Sequence, residues 1–226
     1  MEGMYNLVKD FFSHDMDLVD LFDSEAIIWI DWREYDEDVV NYFNDMMDEP
    51  IDIQIVSNGK PYGDDIVLKN GNKELQIPYG DEQDRDVTIK YFNDFVKPDY
   101  EVRWFAESLG NDTLGFTVLS GAEWAKLNDE FGADVVRYYF EPIDFESDMF
   151  NLGMDEVFAL LALREDSEGV NTQFSTQLDW IRLINKEKTL AEQKENGQID
   201  LKQYMVAKKE LQQSKDDFIA AHGPMK

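Results

Sequence analysis

Nucleophilic and metal chemistry find few residues to use in this chain. There are two histidines, His14 and His222, and no cysteine. Thiolate zinc sites and disulfide frameworks are therefore excluded. His14 falls in the opening helical segment and His222 in a C-terminal tail expected to fray. No His-x-x-x-His, Gly-x-Ser-x-Gly or phosphate-binding Gly-rich pattern occurs. Carboxylates, by contrast, abound: 49 residues are Asp or Glu. At that density close pairs arise by chance, so neither Asp144/Glu146/Asp148 nor Asp81/Glu82/Asp84/Asp86 is diagnostic of acid–base work. Neither run has the Gly and Glu that a calcium loop needs at its sixth and twelfth positions. Asp81 to Asp86 reads better as a solvated turn entering a helix than as a weak divalent-ion site. The expectation is a protein that is not an enzyme and carries no cofactor and no metal.

Two stretches combine acids with large aromatics. Ile30-Asp-Trp-Arg-Glu-Tyr-Asp-Glu-Asp38 places five acids, one Arg, Trp32 and Tyr35 at a strand-to-helix junction. Rigid aromatic anchors ringed by charge are what a protein-binding surface needs. The opposing possibility is that Trp32 is core and the acids only complement a helix N-terminus. The second stretch is Trp104-Phe-Ala-Glu-Ser-Leu-Gly-Asn-Asp-Thr-Leu-Gly-Phe116, a hairpin whose turn carries Glu107, Asn111 and Asp112. Such a turn is also what backbone conformation alone would select. The candidate partner-binding residues are Asp31, Trp32, Glu34, Tyr35, Asp36, Glu37, Asp38, Glu107 and Asp112.

Charge decides the class of partner. Among 226 residues, 21 Lys and Arg oppose 49 Asp and Glu, a formal net charge of −28. Nucleic acids and anionic membranes are bound by neutralising phosphates with Lys and Arg, so neither is expected as a direct partner. A basic protein is, steered by the field of the whole molecule. Acidity that serves only solubility is the plainer alternative. The charge is uneven: residues 1–168 hold 12 bases and 41 acids, net −29, and residues 169–226 hold 9 and 8, net +1. The polar stretch Arg164 to Val170 between them reads as a linker. Two domains are expected, 1–168 and 169–226. The first 25 residues are too acidic for a signal peptide, and no apolar run is long enough to cross a bilayer. The expected location is the cytoplasm.

The elements that must position these residues alternate helical and extended signals. Met4 to Leu21 predicts one opening helix, and Ala26 to Ile30 a buried strand. Asp36 to Met47 predicts a helix with Val39, Val40, Phe43, Met46 and Met47 on its core face. Ile51-Asp-Ile-Gln-Ile55 alternates as a half-buried strand does. Asp65–Lys69 and Asn72–Ile77 flank Asn70-Gly71, a type I′ hairpin signal. Asp84 to Val96 predicts a helix stopped by Pro98, and Tyr100–Phe105 with Leu114–Leu119 a strand pair. Ser120-Gly-Ala-Glu123 is a capping box, Val135 to Phe140 reads as extended, and Met154 to Arg164 as helix. Hairpins and short connections imply an α+β fold, a mainly antiparallel sheet with packed helices. Beyond Gly169, two apolar helical faces separated by Gly197, with Asp200 as N-cap, predict a helical hairpin.

Two resemblances follow. Leu190 to Leu211 is similar to the short C-terminal helical-pair modules called SHOCT, which implies an oligomerisation or interaction element. A homo-oligomer through residues 169–226 is the corresponding expectation. Ile28-Trp-Ile-Asp-Trp-Arg-Glu-Tyr-Asp-Glu-Asp38, Tyr100 to Phe116 and Trp124-Ala-Lys-Leu-Asn-Asp-Glu-Phe131 together resemble small acidic immunity proteins of bacterial polymorphic-toxin and contact-dependent-inhibition systems. That resemblance implies a cytosolic antitoxin that blocks a basic toxin domain, often a nuclease. A phage-type DNA mimic that sequesters a nuclease or restriction factor, and a metal- and carboxylate-dependent hydrolase, stand as alternatives.

Overall fold

The computed structural model describes residues 2–59, 63–166 and 172–225. Two compact units divide between Leu152 and Gly153. The boundary expected at Glu168 lies outside the described residues, and the helix before it groups with the C-terminal unit. On this division the first unit holds 11 bases and 36 acids, net −25, and the second 10 and 13, net −3.

The first unit is built as α1 (Glu2–Phe12), α2 (Leu18–Phe22), β1 (Ile28–Asp31), α3 (Asp36–Asp45), β2 (Asp52–Val56), β3 (Asp65–Asn70) and β4 (Lys73–Gln76). It continues with α4 (Arg85–Val96), β5 (Tyr100–Phe105), β6 (Thr113–Ser120), α5 (Gly121–Phe131), α6 (Ala133–Tyr139) and β7 (Phe140–Pro142). The fold is α+β, with two antiparallel sheets ordered β1-β6-β5-β7 and β2-β3-β4.

Strand β6 (Thr-Leu-Gly-Phe-Thr-Val-Leu-Ser) is buried along six successive residues, because both faces of its sheet are covered. Cross-strand partners share a face. Phe105 and Leu119 meet α1, α5 and α6 through Val8, Phe12, Trp124, Leu127 and Val136. Phe116 faces the other way, its ring 5.7 Å from Phe43 of α3, which in turn lies 5.6 Å from Phe92 of α4. The positions Val39, Val40 and Phe43, read as core from their spacing, are buried. Helix α5 starts on the expected capping box, Ser120 and Glu123 each accepting from the other's backbone N–H.

Four local expectations are corrected. The opening helix is two helices: His14 adopts a φ of 62°, and Asp17 caps a new start by accepting from the Asp20 N–H. Val135 to Phe140 is mostly helical, since Gly132 (φ 92°) both ends α5 and admits α6. The β3–β4 connection is Gly71-Asn72, flanked by the pair Asn70↔Lys73. Positive φ occurs at Gly71 and not at Asn72, the Gly-first signature of a type II′ turn. Finally, Asp86 is no solvated acid. It is buried and accepts backbone N–H bonds from Met149, Phe150 and Asn151 at 3.0, 2.9 and 3.3 Å. Burial pushes its carboxyl above the ordinary range against those three donors.

The second unit comprises α7 (Met154–Asp166), α8 (Phe174–Glu195) and α9 (Leu201–His222). The expected hairpin is α8–α9: Asp200 and Gln203 form a capping box at its second start. Trp180 stacks on Phe218 at 5.4 Å, and the Lys194 ammonium sits 4.5 Å from the Tyr204 ring. No side chain of α9 is buried. Among the described residues, no helix is long and apolar enough to cross a membrane.

Candidate interaction surface

Edge strand β1 ends at Asp31, and the chain turns at once, with Glu34 N–H bonding to the Asp31 carbonyl at 3.1 Å. This turn throws Trp32 and Tyr35 outward. They are 65% and 72% exposed, so the reading of Trp32 as core is excluded. Asp31 pairs with Thr113 across β1 and β6, which brings the Glu107–Thr113 turn beside the same strand end. The two stretches singled out above are therefore neighbours. Asp112 is exposed and adds its field to that of Asp31 at Arg33, whereas Glu107 is half-buried and takes part in interactions of its own.

The acids divide into three kinds. Asp36 is turned inward and only 4% exposed. Arg85 donates from Nε to its Oδ1 at 2.7 Å, and the Thr88 hydroxyl donates to its Oδ2 at 2.5 Å. The Tyr79 hydroxyl lies 2.6 Å from Thr88 Oγ1 and completes the chain of bonds; burial pushes that phenol far above its ordinary range. Asp36 is thus removed from the set of surface contacts. It is a structural acid, paired because an unpaired buried carboxylate would be costly.

Glu34 and Glu37 are intermediate. Glu37 Oε1 accepts from the Asp64 N–H at 3.1 Å and the Gln83 amide at 3.3 Å, while its Oε2 is buried without a partner. Glu34 accepts from the Tyr42 hydroxyl at 3.4 Å, and its charge pushes that phenol upward. Its other oxygen is likewise buried and unpaired.

Asp31 and Asp38 reach the surface. Asp31 is already engaged: Arg33 donates to its two oxygens at 3.1 and 3.0 Å, and the Arg33 N–H adds a third bond at 2.8 Å. These bonds hold the Asp31 carboxyl below the ordinary range. The Arg33 guanidinium sits 5.4 Å from the Trp32 ring, within cation–π reach.

Arg85 is what fixes the junction. Besides Asp36 it donates to the carbonyls of Asp31, at 2.6 Å, and of Glu34, and it lies 5.5 Å from the Phe150 ring. One guanidinium therefore clamps both ends of the turn that presents Trp32, a use of the planar donor fork that Lys could not copy. Arg85, Thr88, Tyr79 and Tyr42 were not among the residues singled out. The available signal was Arg85 itself, the one base in the acidic run from Asp81 to Asp86.

Among the described residues, no group of three or more His, Asp or Glu is placed to hold a metal ion. A groove of about 590 Å³ between α8 and α9, lined by Arg182, Lys186, Leu190 and Leu211 among others, belongs to the second unit. No protein-family model, curated protein or solved structure matches the chain.

Proposed function

We propose that this chain is a cytosolic immunity protein that binds a basic toxin domain of the nuclease class and blocks it. The observation that carries the reading is the pair of exposed aromatics, Trp32 and Tyr35, held at a clamped junction among carboxylates. A nuclease uses Lys and Arg to hold phosphates. Asp31, Glu34, Asp38 and Asp112 offer those cations carboxylates instead, while Trp32 and Tyr35 supply a desolvated centre. From Glu34 to Gly59 there are eight acids and no Lys or Arg, and the net charge of −25 on the unit would attract a basic surface from a distance.

The test is titration, followed by calorimetry and by nuclease activity, against a basic nuclease domain recovered with the protein from its native host. The reading expects a stoichiometric complex that inhibits without turnover and weakens as salt rises. Binding unaffected by salt, or unaffected by Trp32→Ala with Tyr35→Ala, rules it out. The tail enters the same reading as the element through which copies associate. Leu201, Met205 and Val206 of α9 are exposed, and a second copy of this nearly neutral unit is the occupant its charge admits. Light scattering of Met205→Glu against the parent protein reads that association directly.

A further inference from the structure

We propose that the free edge of β2 is a second binding element, which takes an extended, Lys- or Arg-bearing segment of the partner as an added strand. The inference rests on the basic-partner reading for the charge of the occupant, but its geometry is independent of Trp32 and Tyr35.

Strand β2 lies at the end of the order β2-β3-β4, paired on one side only among the described residues. In an antiparallel ladder alternate residues of such a strand direct their N–H and C=O groups away from the neighbour, leaving them for another chain. Natural edges are blunted with Lys, Pro or bulges. Asp52-Ile-Gln-Ile-Val56 contains no Lys and no Pro, its one charge is Asp52 at its start, and its five residues pair one-to-one with Lys69 to Asp65 without a bulge. Two of its three apolar residues are also uncovered, Ile53 being half-buried. Ile55 and Val56 are 42% and 47% exposed, although Ile66, which faces Ile55 across the ladder, is fully buried. The strand thus overhangs its core and offers both backbone and apolar contacts, the combination that strand addition uses.

Position and charge select the occupant. Val56 pairs with Asp65, and the preceding Asp64 N–H is bound by Glu37 in the first turn of α3. The exposed end of β2 therefore lies beside the start of the helix that Tyr35 caps, continuous with the aromatic junction. Asp48, Glu49 and Asp52 flank its beginning, and the base across the ladder from Asp52, Lys69, is paired with Glu74. A second copy of β2 would bring the same charges together, whereas a basic strand would neutralise them.

The experiment uses the full chain and three probes: a hexapeptide alternating Lys and Val, its Glu/Val counterpart, and the Lys/Val peptide with alternate amides N-methylated along one edge. Residue-resolved amide hydrogen exchange is followed over 52–56. The Lys/Val peptide should slow exchange of the outward amides of β2 by about tenfold or more at saturation. The Glu/Val peptide should leave them unchanged, and N-methylation should remove the protection, since it deletes the ladder donors and keeps the charge. Protection absent from β2, or equal with the N-methylated peptide, overturns strand addition and leaves only non-specific attraction. Repeating the measurement in the Trp32→Ala, Tyr35→Ala protein separates the two ideas. Protection that persists there supports the edge irrespective of the aromatic junction, and protection lost there refutes its independence.

Discussion

The stretches around Trp32 and Trp104 have the same ingredients: a strand ending in large aromatics, then a turn carrying acids. Their tryptophans end in opposite environments. Trp32 lies one residue beyond edge strand β1 and is 65% exposed, while Trp104 lies within β5, between β6 and β7, and is 1% exposed. Trp104 shares a face with Phe116, and its Nε1 donates to Ser108 Oγ at 3.1 Å, a partner its own turn provides. The Ser108 hydroxyl in turn donates to the Phe105 carbonyl at 2.6 Å. Strand position, not the company of acids, decides which tryptophan is core and which is left exposed.

Removing the buried member should have the largest effect. Trp104→Ala empties a site in the centre of the sheet and should cost about 3–5 kcal/mol of stability, read as a lower urea midpoint. Arg85→Ala comes next. It leaves Asp36 buried without its cation and should cost about 3 kcal/mol. Because the same guanidinium clamps the Asp31 and Glu34 carbonyls, partner affinity should fall with it even where the protein remains folded. Arg85→Lys, which keeps the charge and loses the fork, should restore stability better than affinity. Equal recovery of both would mean that Arg85 does not position the junction.

How far this contrast could be read beforehand follows from the same physics. Periodicity located α3, α4 and β5–β6 because their apolar spacing is set by a core they touch over several turns or pleats. Capping chemistry located the starts of α5 and α9, since those side chains bond to their own backbone. The aromatic-acidic junction was legible as a composition, and the exposure of its two rings was not, since it depends on the turn that follows β1. Asp36 was not separable from Asp38, because its partner Arg85 is 49 residues away, and a long-range ion pair leaves no local pattern. The break at His14 and the helix α6 were missed for a related reason. Both depend on single positive-φ residues, His14 and Gly132, whose effect overrides an otherwise continuous apolar pattern. The overhang of β2 was also hidden, for Ile51-Asp-Ile-Gln-Ile55 alternates as a half-buried strand whether or not anything covers its edge.

The exposed member should behave in the opposite way to Trp104. Trp32→Ala and Tyr35→Ala should each change stability by no more than about 0.5 kcal/mol. Each should weaken the basic partner by about 2 kcal/mol, roughly 30-fold, if it is an anchor at the centre of the contact. A stability loss comparable to that of Trp104→Ala would show that these rings hold up the fold after all.

The smallest effect concerns Asp31 and gives the finest test of the junction. Arg33 bonds to both of its oxygens and lowers its pKa in the folded state. For a carboxyl so depressed, the contribution to stability is present above the unfolded pKa and is lost as pH falls through the folded one. Its pH dependence therefore lies at the acidic end of the carboxylate range, and near neutrality the contribution is present and does not vary with pH. Carboxyl-carbon NMR of Arg33→Ala should show the Asp31 titration moved up toward the ordinary range, with only a small drop in thermal midpoint at neutral pH, since the pair is exposed. Since Arg33 occupies an acid that a basic partner would want, its removal should also strengthen partner binding by a few-fold, most clearly at low salt. Weaker binding would instead mean that the guanidinium, 5.4 Å from the Trp32 ring, is needed to hold that ring in its binding orientation.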